Sequence, residues 1–444
     1  MRILHTDNQL TEVLRVLNRR SAETDANQAE IRDKAAAIIN EVKERGDAAL
    51  LDFSARFDQV QLEPGQIKVS PQDFETAGSS VPTDFMEAIR QAKANILAFH
   101  QKQLPKDWLD LKDDGIVLGQ RYIPVDSAGC YVPGGVAGST PLVSSLLMNV
   151  LPAVVAGVKR IIICTPPNEV GGVNPYLLAT AMECGVTEVY KVGGAQAIAA
   201  MAFGTETIAP VDVITGPGNQ YVTEAKRQVF GWVGLDMLAG PSEILIIADK
   251  KNDPAYLAAD LLSQAEHGPV DEAGSFLLTN APDLAQAVAA EVEKQLGQLS
   301  RNNIAAASLA KNGAIIITKD LDEAFQLANF SAPEHLELLV SDPWNHLSKI
   351  RHAGAVFIGP YSTEPIGDYI AGTNHVLPTN ATARFASGLS VDHFIKRTSI
   401  IAYNKSGIAK YGPAAIKIAA VEGLDAHANA IKVRLENKDV TCSC

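Results

Sequence analysis

The sequence has few cysteines, fewer basic than acidic residues and no long apolar run. Five cysteines among 444 residues are too few for a disulfide framework, so we expect reduced thiols and a cytoplasmic protein. Cys164 lies in an apolar run and Cys184 ends an apolar helical pattern, and both are interpreted as buried thiols. Cys442 and Cys444 are interpreted as part of a frayed terminus.

The charge balance and the hydrophobic pattern exclude two classes of partner. Lys and Arg number 38 against 51 Asp and Glu, a formal charge of -13, which disfavours nucleic acid because binding phosphates needs a concentrated basic surface. The first residues contain no apolar segment typical of a secretory signal. The longest apolar stretch, 142–158, contains Pro152 and is shorter than the roughly 20 residues that span a bilayer. We interpret it as a buried helix and expect no membrane partner.

Helical and strand patterns alternate along the chain. Helical spacing covers 22–57, with a junction at Gly46, and 84–103, and a strand follows near 119–124. Beyond residue 140, short β-branched runs alternate with helical stretches; the runs are 160–164, 188–192, 211–215, 243–248, 275–279, 314–318, 336–340 and 355–358. Near-continuous apolar strands between helices are typical of parallel sheets covered on both faces. Residues 394–438 return to a helical pattern, with Gly412-Pro413 opening one stretch.

The number of runs predicts a mixed α/β fold with two doubly wound sheets. A single eight-stranded sheet fits the count less well than two incomplete Rossmann-like parallel-sheet domains. Small helical segments at the N- and C-termini complete the prediction. No internal sequence repeat accompanies this expected duplication.

Glycine-rich turns follow several of the predicted strands. They are 131–135, 193–194, 216–219 and 240–243, and the third opens a predicted helix at 221–230. Glycine lets backbone amides approach a ligand, and a helix start offers unpaired N–H groups to a pyrophosphate. None of these turns is the G-x-G-x-x-G fingerprint, and each alone is typical of an ordinary strand-to-helix connection. Their clustering within 131–243 favours nucleotide binding.

Polar groups that could carry chemistry occur in four places. Gln264 and His267 lie three apart at the end of a predicted helix, as half of a metal site or as an ordinary helix cap. Glu334 and His335 precede a strand, where an adjacent acid and imidazole can transfer two protons. The loop 367–378 is polar and glycine-rich, and the cluster 422–427, taken alone, is typical of a solvated helix end. The remaining isolated histidines are interpreted as structural: His5, His100, His346, His352 and His393.

Taken together, these motifs resemble those of the histidinol dehydrogenase family. The matching segments are Gln-Ala-Glu-His-Gly-Pro at 264–269, Ala-Pro-Glu-His-Leu at 332–336, Gly-Asp-Tyr with Gly-Thr-Asn-His-Val-Leu-Pro at 367–378, Ala-His at 426–427, and the stretches 192–200, 215–219 and 222–228. They occur in the family's order, and the resemblance extends from about residue 25 to about 435.

The resemblance implies a substrate, two cofactors and a site. It implies oxidation of L-histidinol to L-histidine with two molecules of NAD, through an enzyme-held aldehyde. It implies one zinc ion per site, ligated by Gln264, His267, Asp368 and His427, all of which then also contact substrate. By the same resemblance Glu334 and His335 are the proton-transfer residues, the further substrate contacts are Ser242, His335 and Glu422, and NAD is bound by Tyr131, Gln196 and Asn219.

The resemblance also implies an assembly and a division into domains. The family forms intertwined homodimers, so His427 and Glu422 are expected to act in the neighbouring subunit's site. We expect an N-terminal helical segment at 1–28, a discontinuous first α/β domain at 29–130 and 243–389, and an NAD-binding α/β domain at 131–242. Residues 390–444 are then a C-terminal helical segment that reaches the partner.

The expected chemistry suits these residue types. Hydride loss from an alcohol requires the hydroxyl proton to leave, and an imidazole of ordinary pKa, about 6.5, can accept it near neutrality. Glu334 is expected to take a proton from the water that attacks the aldehyde. Two imidazoles, a carboxylate and a weak amide oxygen are compatible with zinc. We expect the ion chiefly to orient the substrate.

Two other functions remain open from the residues themselves. A zinc hydrolase would use the same four ligands, with Glu334 activating water and no nicotinamide. A non-catalytic nucleotide-binding module would leave the metal residues incidental.

Overall fold

The structure is a computed structural model that describes residues 1–19, 25–134, 140–267 and 273–436. The chain divides into two compact units, the first comprising Met1–Gln103 with Val125–Phe394 and the second Leu104–Pro124 with the chain from Ile395 onward. No helix in the described ranges is long and apolar enough to cross a membrane. The predicted cysteine tail at 442–444 lies outside the described residues.

The strands are short and mostly apolar. They are β1 (Arg2–His5), β2 (Trp108–Leu111), β3 (Val117–Pro124), β4 (Ser127–Tyr131), β5 (Arg160–Thr165), β6 (Val189–Lys191), β7 (Val213–Thr215), β8 (Gly234–Leu235), β9 (Glu243–Ala248), β10 (Gly274–Thr279), β11 (Gly313–Ile317), β12 (His335–Leu339), β13 (Ala355–Ile358) and β14 (Ile395–Ala402).

The helices alternate with these strands through most of the chain. They are α1 (Thr6–Leu17), α2 (Asp25–Arg45), α3 (Asp47–Phe53), α4 (Pro71–Ser80), α5 (Thr83–Gln101), α6 (Val143–Ala156), α7 (Pro175–Glu183), α8 (Gly194–Phe203), α9 (Gln220–Val229), α10 (Pro254–Ala265), α11 (Pro282–Leu296), α12 (Asn302–Asn312), α13 (Leu321–Ser331), α14 (Pro343–His346), α15 (Glu364–Tyr369), α16 (Lys405–Val421) and α17 (Asp425–Glu436).

A six-stranded parallel sheet forms one half of the first unit, in the order β1-β11-β10-β9-β12-β13. All six residues of the central strand β9 are buried. Ile244 and Ile246 pack against helices α10 to α12, whereas Leu245 and Ile247 pack against α1 and α13. Burial on both faces explains the uninterrupted apolar run that predicts this strand.

A five-stranded parallel sheet forms the other half, in the order β6-β5-β4-β7-β8. Ile162 and Ile214 pack in a core with helices α2, α3, α8 and α9. On the other face Ile163 meets Leu146 of α6 and Leu177 of α7. The prediction of two doubly wound sheets is therefore confirmed, and 142–158 forms the expected buried helix, α6.

The second unit is small and contains an antiparallel sheet. β3 pairs with β2 on one side and along its whole length with β14 on the other, and α16 packs beside α17. The prediction that 394–438 is helical throughout is wrong for β14, and Gly412-Pro413 lies inside α16 rather than at its start. Added at Gly412, a Cβ would lie 2.9 Å from Ile431, so close packing against α17 overrides the helix-breaking tendency of the pair.

Three strands of the parallel sheets were not predicted: β1, β4 and the two-residue β8. Arg2–His5, expected to be part of a helical segment, is an edge strand paired in register with β11. β4 has the sequence Ser-Ala-Gly-Cys-Tyr, without a β-branched residue. A Cβ at Gly129 would lie 2.6 Å from the sulfur of Met201, so this central strand uses small residues to let α8 approach.

Candidate active site

Glu334 and His335 lie at the amino end of β12, next to the amino end of its neighbouring strand β9. His335 begins β12 and is paired with Ile244 of β9, which brings Glu334 and His335 beside Glu243. The backbone N–H of Glu243 donates to Glu334 Oε2 at 3.0 Å, and Nδ1 of His335 lies 3.1 Å from the Glu243 carbonyl oxygen. Because a carbonyl only accepts, Nδ1 carries the proton and Nε2 keeps its lone pair. The backbone of β9 therefore orients both side chains.

A buried ion pair holds Glu243, the residue whose backbone orients Glu334 and His335. The Glu243 carboxylate is 1% exposed and accepts from Nε of Arg19 at 3.0 Å. Two charges buried together hold each other in place, since breaking such a pair leaves one charge uncompensated at a cost of about 3–5 kcal/mol. Glu243 gave no sequence signal for this role, because the role belongs to its main chain.

Burial moves the pKa values of the two side chains apart. It raises the pKa of Glu334 well above the ordinary value, an effect to which the negative charges of Glu243 and Asp368 add. Burial, with smaller contributions from the positive charges of His267 and His375, lowers the pKa of His335 to about 3. The expectation of an ordinary imidazole pKa is therefore not met. Glu334 Oε2 and His335 Nδ1 lie 3.7 Å apart, so a charge on either group is felt by the other.

A second cluster can hold a metal ion. Ligand atoms of His267, Glu364 and Asp368 all lie within 4.8 Å of one another. His267 follows α10, whereas Glu364 and Asp368 lie one turn apart on α15, which Ser263 Oγ joins to α10 by donating to Glu364 Oε2 at 3.3 Å. Burial raises the pKa of Glu364 to about 8 and that of Asp368 to about 6.

Gln264 lies in α10, one turn before His267. Its side chain is fully buried, and neither its amide oxygen nor its amide nitrogen has a hydrogen-bond partner among the residues that the structure describes. A buried amide left unsatisfied costs about 1–3 kcal/mol, so this side chain requires an explanation. An ion that accepts the amide oxygen as a ligand supplies one.

Glu364 and His375 are site residues that the sequence analysis did not single out. His375 Nδ1 lies 3.6 Å from Asp368 Oδ1, and burial lowers the pKa of His375 to about 4. His375 belongs to the glycine-rich loop already noted, and Glu364 lies four residues before Asp368. Helical spacing could have indicated Glu364, but nothing in the sequence predicted that α15 begins there.

The residues expected to bind cofactor meet at the carboxyl edge of the five-stranded sheet. Tyr131 ends β4, and its hydroxyl oxygen accepts from the Gly194 backbone N–H at 3.1 Å. A Cβ on Gly194 would lie 2.6 Å from the Gln196 side-chain oxygen, and one on Gly216, after β7, would lie 2.1 Å from the Tyr131 carbonyl oxygen. Asn219 opens α9 by accepting from two backbone N–H groups. Tyr131, Gln196 and the turn that ends at Asn219 therefore share one region.

The topology of that sheet identifies the same region. From β4 the chain adds β5 and β6 on one side and then crosses to β7 and β8 on the other. A crevice opens where connections leave in opposite directions, and doubly wound proteins bind ligands there. At the corresponding carboxyl edge of the other sheet, between β9 and β12, Asp249 Oδ2 accepts from the Ser341 backbone N–H at 2.6 Å and from its hydroxyl at 2.7 Å.

The remaining predicted residues are divided between the units. Ser242 immediately precedes β9, and its side chain forms a hydrogen bond with the side chain of Glu334. Glu422 caps the end of α16 and His427 lies in the first turn of α17; both are exposed and belong to the second unit. The first unit thus supplies Gln264, His267 and Asp368 of the expected ligand set.

The chain is similar over nearly its whole length to proteins of one family. A family described as histidinol dehydrogenase matches residues 20–435. The histidinol dehydrogenase of Geobacillus kaustophilus is 53% identical over 399 residues, which are 90% of this chain and 92% of the relative. That of Thermosynechococcus vestitus is 48% identical over 429 residues, 96% and 98% of the two chains. The crystal structure of histidinol dehydrogenase from Elizabethkingia anophelis covers 98% of each chain, with a TM-score of 0.91 and 39% identity.

Proposed function

Since the chain belongs to the histidinol dehydrogenase family and is an NAD-dependent oxidoreductase, we propose that it oxidises L-histidinol to L-histidine through L-histidinaldehyde, the last steps of histidine biosynthesis. The observation that carries the proposal is the buried pair Glu334 and His335, whose pKa values respond to the charges of Asp368 and His267 in the candidate metal cluster. Proton transfer and substrate orientation then take place in one pocket.

In the first oxidation His335 accepts the hydroxyl proton. Its Nε2 is buried without a partner among the described residues, and its Nδ1–H is held by the Glu243 carbonyl, so the lone pair is fixed in direction. The imidazolium that forms is disfavoured by burial, and the Glu334 carboxyl group at 3.7 Å offsets that cost when ionised. NAD, when bound, accepts the hydride.

In the second oxidation water adds to the aldehyde. Glu334 takes a proton from this water, and its raised pKa makes it a stronger base than an ordinary carboxylate. His335, having released its first proton to solvent, then accepts a proton as the hydrate is oxidised by a second molecule of NAD. Ser242, whose side chain bonds Glu334, is proposed to contact substrate at this point.

We propose one zinc ion per site, ligated by Gln264, His267, Asp368 and His427. The unsatisfied Gln264 amide and the proximity of His267 to Asp368 support this assignment. Zinc would supply Lewis acidity and open positions for the substrate nitrogens. The same four ligands and His335 would then surround the substrate.

We propose that NAD lies in the crevice at the carboxyl ends of β4 and β7, in contact with Tyr131, Gln196 and Asn219. The glycine turns let the backbone approach the pyrophosphate, and the start of α9 points N–H groups toward it.

We propose that the enzyme is a cytoplasmic homodimer in which the second unit completes the partner's site, supplying His427 as ligand and Glu422 as substrate contact. In support, this small unit exposes large apolar side chains that a second copy could cover: Leu109, Leu111, Ile401, Ile418 and Val421. The buried thiols of the first unit fit a reducing compartment.

The experiment is an anaerobic incubation of zinc-loaded enzyme with histidinol and excess NAD, counting NADH and histidine formed. We expect two NADH for each histidinol consumed and no free aldehyde. One NADH with released aldehyde would contradict the second oxidation. Consumption of a substrate by hydrolysis, without NADH, would instead support the zinc hydrolase that uses Glu334 as its base.

A further inference from the structure

A buried ion pair lies directly behind the glycine turn at the end of β7. We propose that Lys226 and Asp236 are positioning residues that hold the backbone on both sides of Gly216 in its cofactor-binding conformation and so set the affinity for NAD. The inference rests on the proposed cofactor site. Neither residue is proposed to touch the cofactor.

The pair forms hydrogen bonds with both backbone polar groups of Gly216, the N–H and the carbonyl oxygen. Lys226 Nζ donates to the Gly216 carbonyl oxygen at 2.9 Å, and Asp236 Oδ2 accepts from the Gly216 N–H at 2.8 Å. Lys226 Nζ and Asp236 Oδ1 are 2.5 Å apart, and the two side chains are 2% and 0% exposed. Asp236 also accepts from the Met237 N–H. The two peptide groups that flank the Gly216 Cα are therefore each held by a side chain that water hardly reaches.

Gly216 needs such support because its backbone is unusual. Its φ is +117°, a region that L side chains rarely adopt, and its backbone passes so close to Tyr131 that no Cβ fits. A glycine is also the residue with the most conformational freedom to lose. Without the ion pair the turn can adopt other conformations, and ordering it then weakens ligand binding.

The position of the pair links it to binding rather than to general stability alone. Gly216 lies between Tyr131 and the helix start at Asn219, two of the proposed cofactor contacts. Lys226 lies in α9 itself, and Asp236 follows β8, so the pair fixes the turn relative to both neighbouring elements. The opposite charges balance, so the pair orients the turn without adding net charge to it.

The test replaces both charges together. In the double variant Lys226→Met with Asp236→Leu, no charge is left uncompensated, and buried ion pairs replaced by apolar residues often keep the fold stable. We expect the zinc-loaded variant to bind NAD about tenfold more weakly, because the turn is no longer held. Zinc content and histidinol affinity are expected to stay close to wild type, whereas the urea midpoint is expected to fall because the Gly216 N–H and carbonyl oxygen lose their partners.

A second, partly exposed ion pair at the opposite edge of the five-stranded sheet provides the control. Arg160 and Glu188 are 2.8 Å apart, where β5 begins and just before β6. Arg160→Met with Glu188→Leu should leave NAD affinity unchanged. A folded Lys226/Asp236 double variant that binds NAD within twofold of wild type would overturn the proposal, as would an equal loss of affinity in the control.

A single variant covers the case in which the double variant does not fold. Asp236→Asn has one acceptor oxygen where the wild type uses two, so it cannot satisfy Gly216 and Lys226 together. We expect it to bind NAD several-fold more weakly, and wild-type affinity in the folded variant would overturn the proposal. If the wild-type enzyme itself neither binds nor reduces NAD, the proposed function fails; an active wild type with an unaffected variant refutes only the ion pair's role.

Discussion

Gln264 offers a test in which stability and metal binding change in opposite directions. Its side chain is fully buried, and its amide oxygen and nitrogen have no partners among the described residues. Gln264→Met keeps the length and shape of the side chain and removes both polar atoms. If the amide of Gln264 serves as a metal ligand, its removal should stabilise the metal-free protein and weaken zinc binding.

The magnitude follows from the burial of the amide. Each unsatisfied polar atom costs about 1–3 kcal/mol, and a methionine side chain costs nothing comparable. Allowing for imperfect packing of the thioether, we expect metal-free Gln264→Met to be about 2 kcal/mol more stable than metal-free wild type. In a domain of about 150–250 residues, a change of 2 kcal/mol corresponds to roughly 4–8 °C in Tm.

The assay is thermal unfolding of both proteins, after chelation and again at saturating zinc, together with the zinc content at equilibrium. Zinc should raise the Tm of wild type far more than that of the variant, because stabilisation by a ligand grows with the logarithm of its concentration relative to Kd. Gln295→Met is the control: Gln295 Nε2 donates to the Ala255 carbonyl oxygen at 3.0 Å, so its loss should lower stability and leave zinc content unchanged. A metal-free Gln264→Met less stable than wild type, or one with full zinc affinity, would refute the reasoning.

Three further predictions test the proton-transfer residue, the assembly and the electrostatics. His335→Asn can still donate to the Glu243 carbonyl but lacks the Nε2 base, so turnover should fall about 10²–10⁴-fold with zinc and NAD binding retained; near-normal steady-state rates would remove His335 from the mechanism. Inactive His335→Asn and His427→Asn proteins should regain activity when mixed and allowed to exchange subunits, and no recovery after proven exchange would place each site within one chain. Burial raises the pKa of Asp58 from 3.8 to about 6, so its contribution to stability is lost as pH rises through 6. Asp58→Asn should therefore gain stability relative to wild type between about pH 4 and pH 8 in urea unfolding, and a constant difference would contradict the shift.

The sequence predicts most strands of the two parallel sheets, because burial on both faces imposes apolar runs. β9 and β11 are uniformly buried and were predicted with nearly their observed bounds. β1 and β4 were missed for different reasons: β1 is a four-residue edge strand, and β4 relies on small residues for close packing. β14 was missed because most of its residues are exposed, so burial imposes no apolar run on it.

The site was predictable only where a side chain itself carries the role. Gln264 and His267 stand in a motif whose side-chain chemistry indicates a metal site, whereas the role expected for Asp368 came from the family resemblance. The role of Glu243 could not be predicted, because its backbone orients Glu334 and His335 only through the register of β9 with β12. The lowered pKa of His335 was also hidden, since it depends on burial that only the assembled fold produces.

The most direct test of the central claim is a crystal structure of the zinc-loaded enzyme with histidinol, with anomalous diffraction recorded at the zinc edge. We expect one zinc peak per site, with His267, Asp368, Gln264 and a histidine from the second unit at about 2.0–2.2 Å, beside Glu334 and His335. A peak bound by other residues, or one remote from His335, would contradict the account.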